Sequence, residues 1–424
     1  MPEPRPSDHL PADVLRGLTS ARLSRRSALH VGGASALALA LAACGVSGGK
    51  KGASGTAAVD AAKKFWAAQK QAGVLDFASW PLYMDVSASN KNDHPSLDLF
   101  TKDTGIRVKY SEVIQDVATF FGKVQPQLAG GQNIGYDLMI ITNGVYLDKL
   151  IQLGYLVPLD QTKMSNFQAN ASPLVKNPSF DKGNVYTMAW QSGITGIGYD
   201  PKRTGREITS WQDLLDPAFK GKVGMFGDTE DLPNSALLAV GVNPENSTQD
   251  DWKKAVAWLK KQRDAGLVRK YYEQDYIDPL SKGDLWISMA WSGDIFQANA
   301  SGAKLKFVVP KEGAAIWTDN MCIPKHAAHP RDAMTYMDYV YQPKIAAMLA
   351  EYINYITPVP GSKQVIQSDA DAAKGEDKTF LAQLATDPLI FPSQADFFRL
   401  HRYRVLSTAE EKTWNSMFEP IFQS

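Results

Sequence analysis

Ile106-Arg107-Val108-Lys109-Tyr110 and, beyond a helical stretch, Asp137-Leu138-Met139-Ile140-Ile141 decide the fold class of this chain. Both read as short apolar strands, and amphipathic helices alternate with such strands along the chain. Ordered alternation begins near Val74-Leu75-Asp76-Phe77, after helical spacing from Asp60 to Gln71. Ser210-Trp211-Gln212-Asp213-Leu214 and Ser247-Thr248-Gln249-Asp250-Asp251-Trp252 read as helix starts, with Ser as the cap and acids in the first turn. From Trp252 to Gln262, Val256 and Leu259 share one face, with lysines elsewhere. Strands alternating with helices over this length predict α/β architecture: two open parallel sheets with helices on both faces.

Towards the N-terminus, residues 22–44 run from a basic segment containing Arg25-Arg26 through an Ala/Leu-rich stretch to Cys44. That layout is an export signal, with a charged end held at the cytoplasmic face and an apolar stretch to enter the membrane. Leu41-Ala42-Ala43-Cys44 resembles the lipobox of bacterial lipoproteins, in which the Cys is lipidated and becomes the mature N-terminus. Ser24-Arg25-Arg26-Ser27-Ala28-Leu29 resembles a twin-arginine signal, although Ala28 stands where a bulky aromatic is usual, so the Sec route stays open. The competing reading is a transmembrane helix, for which roughly 16 residues rich in Gly and Ala are short and weakly apolar. Residues 44–58 then form a flexible tether whose reach is on the order of 20 Å. The expected location is the outer face of the cytoplasmic membrane, anchored by lipid on Cys44.

The chain has 424 residues with 45 basic and 45 acidic side chains. Without residues 1–43 the balance is 40 basic against 42 acidic, and about 380 residues remain, enough for two domains with separate cores. Such a balance gives no support to nucleic-acid binding, which shows a basic patch or stripe. No apolar run beyond the leader is long enough to cross a bilayer. Only Cys44 and Cys322 are present, so a lipidated Cys44 leaves Cys322 without an intramolecular partner, and Cys322 reads as a small buried apolar residue. Enzymatic signatures are scarce. His326 and His329 have i, i+3 spacing but sit before Pro330 with no third ligand nearby, which reads as a solvated or capping role. Gly45-Val46-Ser47-Gly48-Gly49 fits G-x-S-x-G formally, yet it lies in the tether without the strand and helix of a nucleophile elbow. Neither a metal nor a cofactor is expected.

What recurs is an aromatic beside an acid at apparent strand ends: Trp80 and Tyr83; Asp228, Glu230 and Asp231; Trp291 and Asp294; Trp317 and Asp319; and Tyr355 in Asn354-Tyr355-Ile356-Thr357-Pro358. Strand C-termini of open α/β sheets face the ligand crevice. Indoles and phenols interleaved with carboxylates there suit an organic cation, because ring faces attract ammonium groups and carboxylates accept charge-assisted hydrogen bonds. Each group also has a plainer reading. Asp228 and Asp231 suit a helix N-terminus, Asp294 a turn, and any single Trp a packed core.

Leu97-Asp98-Leu99-Phe100-Thr101-Lys102-Asp103-Thr104-Gly105-Ile106-Arg107-Val108, Tyr136-Asp137-Leu138-Met139, Tyr186-Thr187-Met188-Ala189-Trp190 with Gly193-Ile194-Thr195-Gly196-Ile197-Gly198-Tyr199, Ser210-Trp211, Phe219-Lys220-Gly221 and Pro310-Lys311-Glu312-Gly313 together resemble the solute-binding proteins of spermidine/putrescine ABC transporters. The resemblance covers about residues 74–365. It implies a two-lobe fold of the type II periplasmic-binding-protein kind, with hinge strands and a ligand cleft between the lobes. Expected boundaries are 59–193 and 313–363 for the first lobe, and 194–312 and 364–424 for the second. Carried over, Trp80 and Tyr83 resemble the aromatic pair at the cleft wall, and Thr142 a small hydroxyl contact. Asp228 and Asp231 resemble two acids meeting an amine, and Trp291 the indole under the aliphatic chain. Trp317 and Asp319 resemble the indole and carboxylate at the deep amine, and Tyr355 the tyrosine of a late loop. Pro81 and Leu82 replace a residue that is often polar or acidic, and Asp294 resembles an acid of putrescine-preferring relatives. Around Thr142-Asn143-Gly144-Val145 the family's aromatic is missing. The implied function is capture of polyamines and delivery to an ABC permease by a non-enzymatic monomer. Another small cationic or amino-acid-derived solute, or polyamine sensing without transport, is the alternative.

Overall fold

The computed structural model describes residues 63–423 except 88, 89, 91 and 274. Arg25, Arg26, Cys44 and the tether fall outside the described residues. The strands are β1 (Val74–Ser79), β2 (Arg107–Glu112), β3 (Leu138–Thr142), β4 (Thr187–Tyr199), β5 (Val223–Phe226), β6 (Val268–Tyr272), β7 (Ile287–Trp291), β8 (Lys306–Val308), β9 (Ala314–Cys322) and β10 (Leu400–His401).

These strands lie in the order β2-β1-β3-β9-β4-β7-β5-β6, with β10 on β9 and β8 on β4. β2-β1-β3 and β7-β5-β6 are parallel blocks. Between them, β9 runs antiparallel to β3, β4 antiparallel to β7, and the two antiparallel to each other, while β10 lies parallel on β9. The two expected sheets are therefore one continuous sheet whose parallel halves are joined by two long crossing strands. All thirteen residues of β4 and all nine of β9 are buried, so neither strand shows the polar alternation of a surface ribbon.

Period-two alternation divides the first half's core. Phe77, Leu138 and Ile140 point into one layer with Phe100, Trp190 and Tyr336, while Ala78, Met139 and Ile141 point into the other with Phe120, Val124 and Cys322. Cys322 is buried and forms no disulfide among the described residues. Arg107 and Lys109 stay exposed on β2, where charge blunts the free edge. The helix Pro95–Thr104 starts with Pro at its first turn and ends where Gly105 takes the left-handed conformation (φ 76°) and its N–H reaches Thr101 O at 2.8 Å. In the second half, Val223, Met225, Ile287 and Met289 share a core with Leu237, Trp252, Leu259, Trp414 and Phe418. The late helix Thr408–Phe422 belongs to this layer, with Trp414 edge-on to Trp252 at 5.1 Å.

Ser210 caps Trp211–Leu215 in a reciprocal box with Asp213, as expected. The second start needs a correction: the cap of Gln249–Asp264 is Thr248, boxed with Asp251, and not Ser247. The Ser247 hydroxyl is already used, donating to Pro244 O at 2.9 Å and accepting from Trp252 Nε1 at 3.1 Å. No described helix is long and apolar enough to cross a membrane.

Candidate ligand-binding site between the two halves

Backbone register builds the first cluster. In the β3–β9 ladder Thr142 stands opposite Asp319. Thr142 Oγ1 donates to Asp319 Oδ1 and Tyr83 OH to Oδ2, each at 2.5 Å. Burial pushes the Asp319 carboxyl up to about 6, and these two donors hold it from going further. Two residues earlier on β9, Trp317 faces Gly193 of β4, where a Cβ would fall 2.2 Å from the indole. Only glycine lets that ring lie flat on the crossing strand. Tyr355 meets Trp317 at 5.4 Å between ring centres and Tyr83 at 6.5 Å. Buried Trp317 Nε1 has no hydrogen-bond partner among the described residues.

The second cluster gathers where β5 and β7 end. The helix Asp231–Ala239 follows β5, and Asp228 prepares its first turn by accepting from the N–H groups of Glu230 (2.7 Å) and Asp231 (2.5 Å). The capping role expected of Asp228 is thus present beside any ligand role. Asp231 accepts from Thr195 Oγ1 and Tyr403 OH at 2.5 Å each and from Trp291 Nε1 at 2.8 Å. Burial raises the pKa of Asp231, and burial together with the charge of Asp231 raises that of Asp228. Glu230 is pushed up to about 8, by burial first and by Asp228, Asp231 and Asp148 in addition. Trp291 lies against Phe226, with ring centres 4.7 Å apart.

Asp294 links the clusters. It lies in the first turn of the helix Ser292–Ala300, not in a turn, and accepts from Tyr355 OH at 2.9 Å and Tyr276 OH at 3.1 Å. Gly293 beside it leaves room for the Tyr355 ring, which a Cβ would approach to 2.6 Å. Trp80 stands at the first half's end of this chain, where its indole N–H donates to Ile140 O at 3.1 Å, a backbone duty.

Tyr83, Thr142, Trp317, Asp319, Tyr355 and Asp294 therefore form one run of contacts, and Asp228, Asp231 and Trp291 another. Sequence reasoning missed Thr195, Tyr276 and Tyr403. Thr195 was readable from alternation, since it shares the face of Gly193 two residues away. Tyr403 gave no signal, because it lies between Arg402 and Arg404 in a segment without periodic pattern.

No ion pair among the described residues engages Asp228, Glu230, Asp231 or Asp319 with a lysine or arginine of the chain. The four described histidines stay out of both clusters. His329 Nδ1 instead bonds Asp137 at 2.8 Å. Asp76, Asp137 and His329 do bring ligand-type atoms within 4.8 Å. Asp137, however, also accepts from the N–H groups of Asp76 and His329, and Asp76 lies 3.4 Å from Lys109, so these groups serve the fold. Ionisable carboxylates between aromatic rings, fixed by neutral donors and unpaired with chain cations, can hold a positively charged solute.

The family model described as bacterial extracellular solute-binding protein matches residues 96–376. Spermidine/putrescine-binding periplasmic protein 1 of Haemophilus influenzae is 30% identical over 298 residues, which are 70% of this chain and 77% of that protein. The spermidine/putrescine-binding periplasmic protein of Escherichia coli is 29% identical over 295 residues, 68% of this chain and 80% of that protein. Among solved structures, the spermidine/putrescine ABC transporter substrate-binding protein of Streptococcus pneumoniae, in complex with calcium and HEPES, superimposes with a TM-score of 0.68 at 23% identity. That match covers 82% of this chain and 98% of that one.

Proposed function

Because the chain belongs to the family of bacterial extracellular solute-binding proteins, we propose that it captures di- and polyamines such as putrescine and spermidine and delivers them to an ABC permease. One observation carries this reading: Asp319 and Asp231 are only 5% and 6% exposed, yet their hydrogen bonds come from hydroxyls and an indole and from no cationic side chain. Neutral donors orient a carboxylate without cancelling its charge. Burying such a charge unpaired costs several kcal/mol, so a ligand ammonium that completes the pair is favoured over any neutral solute. Trp291, Trp317, Tyr83 and Tyr355 supply apolar walls for methylene groups and ring faces for ammonium, each desolvated cation–ring contact adding about 2 kcal/mol.

Trp80, Tyr83, Thr142, Asp228, Asp231, Trp291, Asp294, Trp317, Asp319 and Tyr355 are assigned to the ligand, with Thr195 and Tyr403 orienting Asp231. The protein acts as a non-enzymatic monomer with no cofactor. It is anchored by lipid on Cys44 to the outer face of the cytoplasmic membrane, and the lobe boundaries are those expected from the sequence. The names of the relatives and the lack of an opposing cation at either cluster among the described residues support the polyamine assignment.

A thermal-shift panel of putrescine, cadaverine, spermidine, spermine, betaine and neutral sugars tests it. Stabilisation by the amines alone is expected. Stabilisation by betaine or sugars and not by amines overturns it.

A further inference from the structure

The carboxylates near Asp231 extend across the seam between the halves. Glu230 leaves the second half and accepts from Val145 N of the first at 3.0 Å, capping the helix Val145–Gln152. Gly144 makes this approach feasible, since a Cβ there would lie 2.1 Å from Glu230 Oε1. Glu230 Oε2 has no hydrogen-bond partner among the described residues. The capped helix turns one face to the second half. Val145 packs on that half's core, and Lys149, one turn on, pairs with Glu411 at 2.7 Å. Asp148 shares this face, three residues from Val145.

Asp148 is 5% exposed, and its carboxylate has neither a hydrogen-bond nor an ion-pair partner among the described residues. Asp148 lies on the helix that Glu230 caps, three residues after the capped Val145, and Asp228 and Asp231 flank Glu230 at the start of the facing helix, so the four acids gather at this seam. The adjacent cation does not serve them: Lys149 is committed to Glu411 and lies over the Tyr146 ring at 5.1 Å.

We propose that Asp148 and Glu230 form a further ammonium subsite, which makes a triamine or longer polyamine the preferred solute over a diamine. The proposal rests on the reading of Asp231 and Asp319 as amine ligands. A diamine that satisfies those two acids leaves Asp148 buried and unpaired, whereas a third ammonium pairs it. Because one acid of the subsite comes from each half, the third ammonium also bridges the lobes.

Calorimetry of putrescine and spermidine on the wild type, Asp148→Asn and Glu230→Gln tests this, with thermal melts confirming that each variant folds. The amide oxygen introduced by Glu230→Gln can still accept from Val145 N, so that variant removes the charge and keeps the cap, and it carries the test alone if Asp148→Asn is unfolded. The wild type is expected to prefer spermidine. Each variant is expected to lose about tenfold for spermidine and to hold putrescine within about twofold. Equal losses for both amines, or no loss for either, overturn the subsite. Binding of neither amine by the wild type overturns the proposed function itself, a distinct result.

Discussion

In the cluster on β3 and β9 a single carboxylate, Asp319, takes two hydroxyl donors from Tyr83 and Thr142, whereas in the far cluster, where β5 and β7 end, Asp231 takes three donors and has Asp228 and Glu230 beside it. The near end is positioned by strand register, because Thr142 and Asp319 are ladder partners and cannot drift apart without breaking β3–β9. The far end is positioned by a helix start, where backbone N–H groups hold Asp228 and a side chain from residue 403 secures Asp231. One end thus offers an isolated, rigid charge. The other concentrates acids whose mutual repulsion only an added positive charge, or a proton, relieves.

That contrast sets the sizes of the expected effects. Asp231→Asn keeps the shape of its hydrogen-bonded nest but deletes the charge a terminal ammonium would meet. A loss of about 3 kcal/mol, roughly a hundredfold in amine affinity by calorimetry, is expected. A loss below about threefold would place the ligand's charge elsewhere.

Proton linkage gives the next effect. Asp319 lies near 6 and Glu230 near 8, both above their ordinary values of 3.8 and 4.5. A carboxyl with a raised folded pKa contributes its full stability below the unfolded value and loses that contribution as pH rises through the folded one. The unliganded protein should therefore lose stability between about pH 4 and pH 8. An ammonium restores it by pairing with the ionised acids, so amine affinity and the melting shift should grow over the same window. The rise expected from pH 5 to pH 7 is about tenfold for Asp319 alone. Equal affinity at both pH values would mean that the acids are not neutralised by the ligand.

Much of this arrangement was legible because it rests on local pattern. Short apolar runs marked β2 and β3, and the alternation beginning near Val74 marked β1. Trp80, Asp228 and Trp291 sit at or just past strand ends, where the crevice of an α/β sheet opens, whereas Trp317 and Asp319 lie inside β9 and Tyr355 follows a helix, against the strand-end expectation. Trp317 and Asp319, two residues apart on β9, necessarily share a face. What escaped depended on long-range placement. Tyr403 reaches Asp231 from 172 positions away, out of a segment flanked by arginines that reads as surface. Asp148 carries no local mark in the sequence, and only the packing of Val145 and the Lys149–Glu411 pair reveals that its face is buried against the other half. The cap at Thr248 was displaced by one residue because a buried indole claims the Ser247 hydroxyl, a contact no local pattern encodes.

The central claim, that buried carboxylates unpaired within the chain hold the solute's charge, is tested most directly by calorimetric titration of putrescine and spermidine into the wild type and Asp319→Asn. The expected result is amine binding by the wild type and an affinity at least about tenfold weaker in the variant, with the fold intact by thermal melt. Unchanged affinity in Asp319→Asn would contradict it.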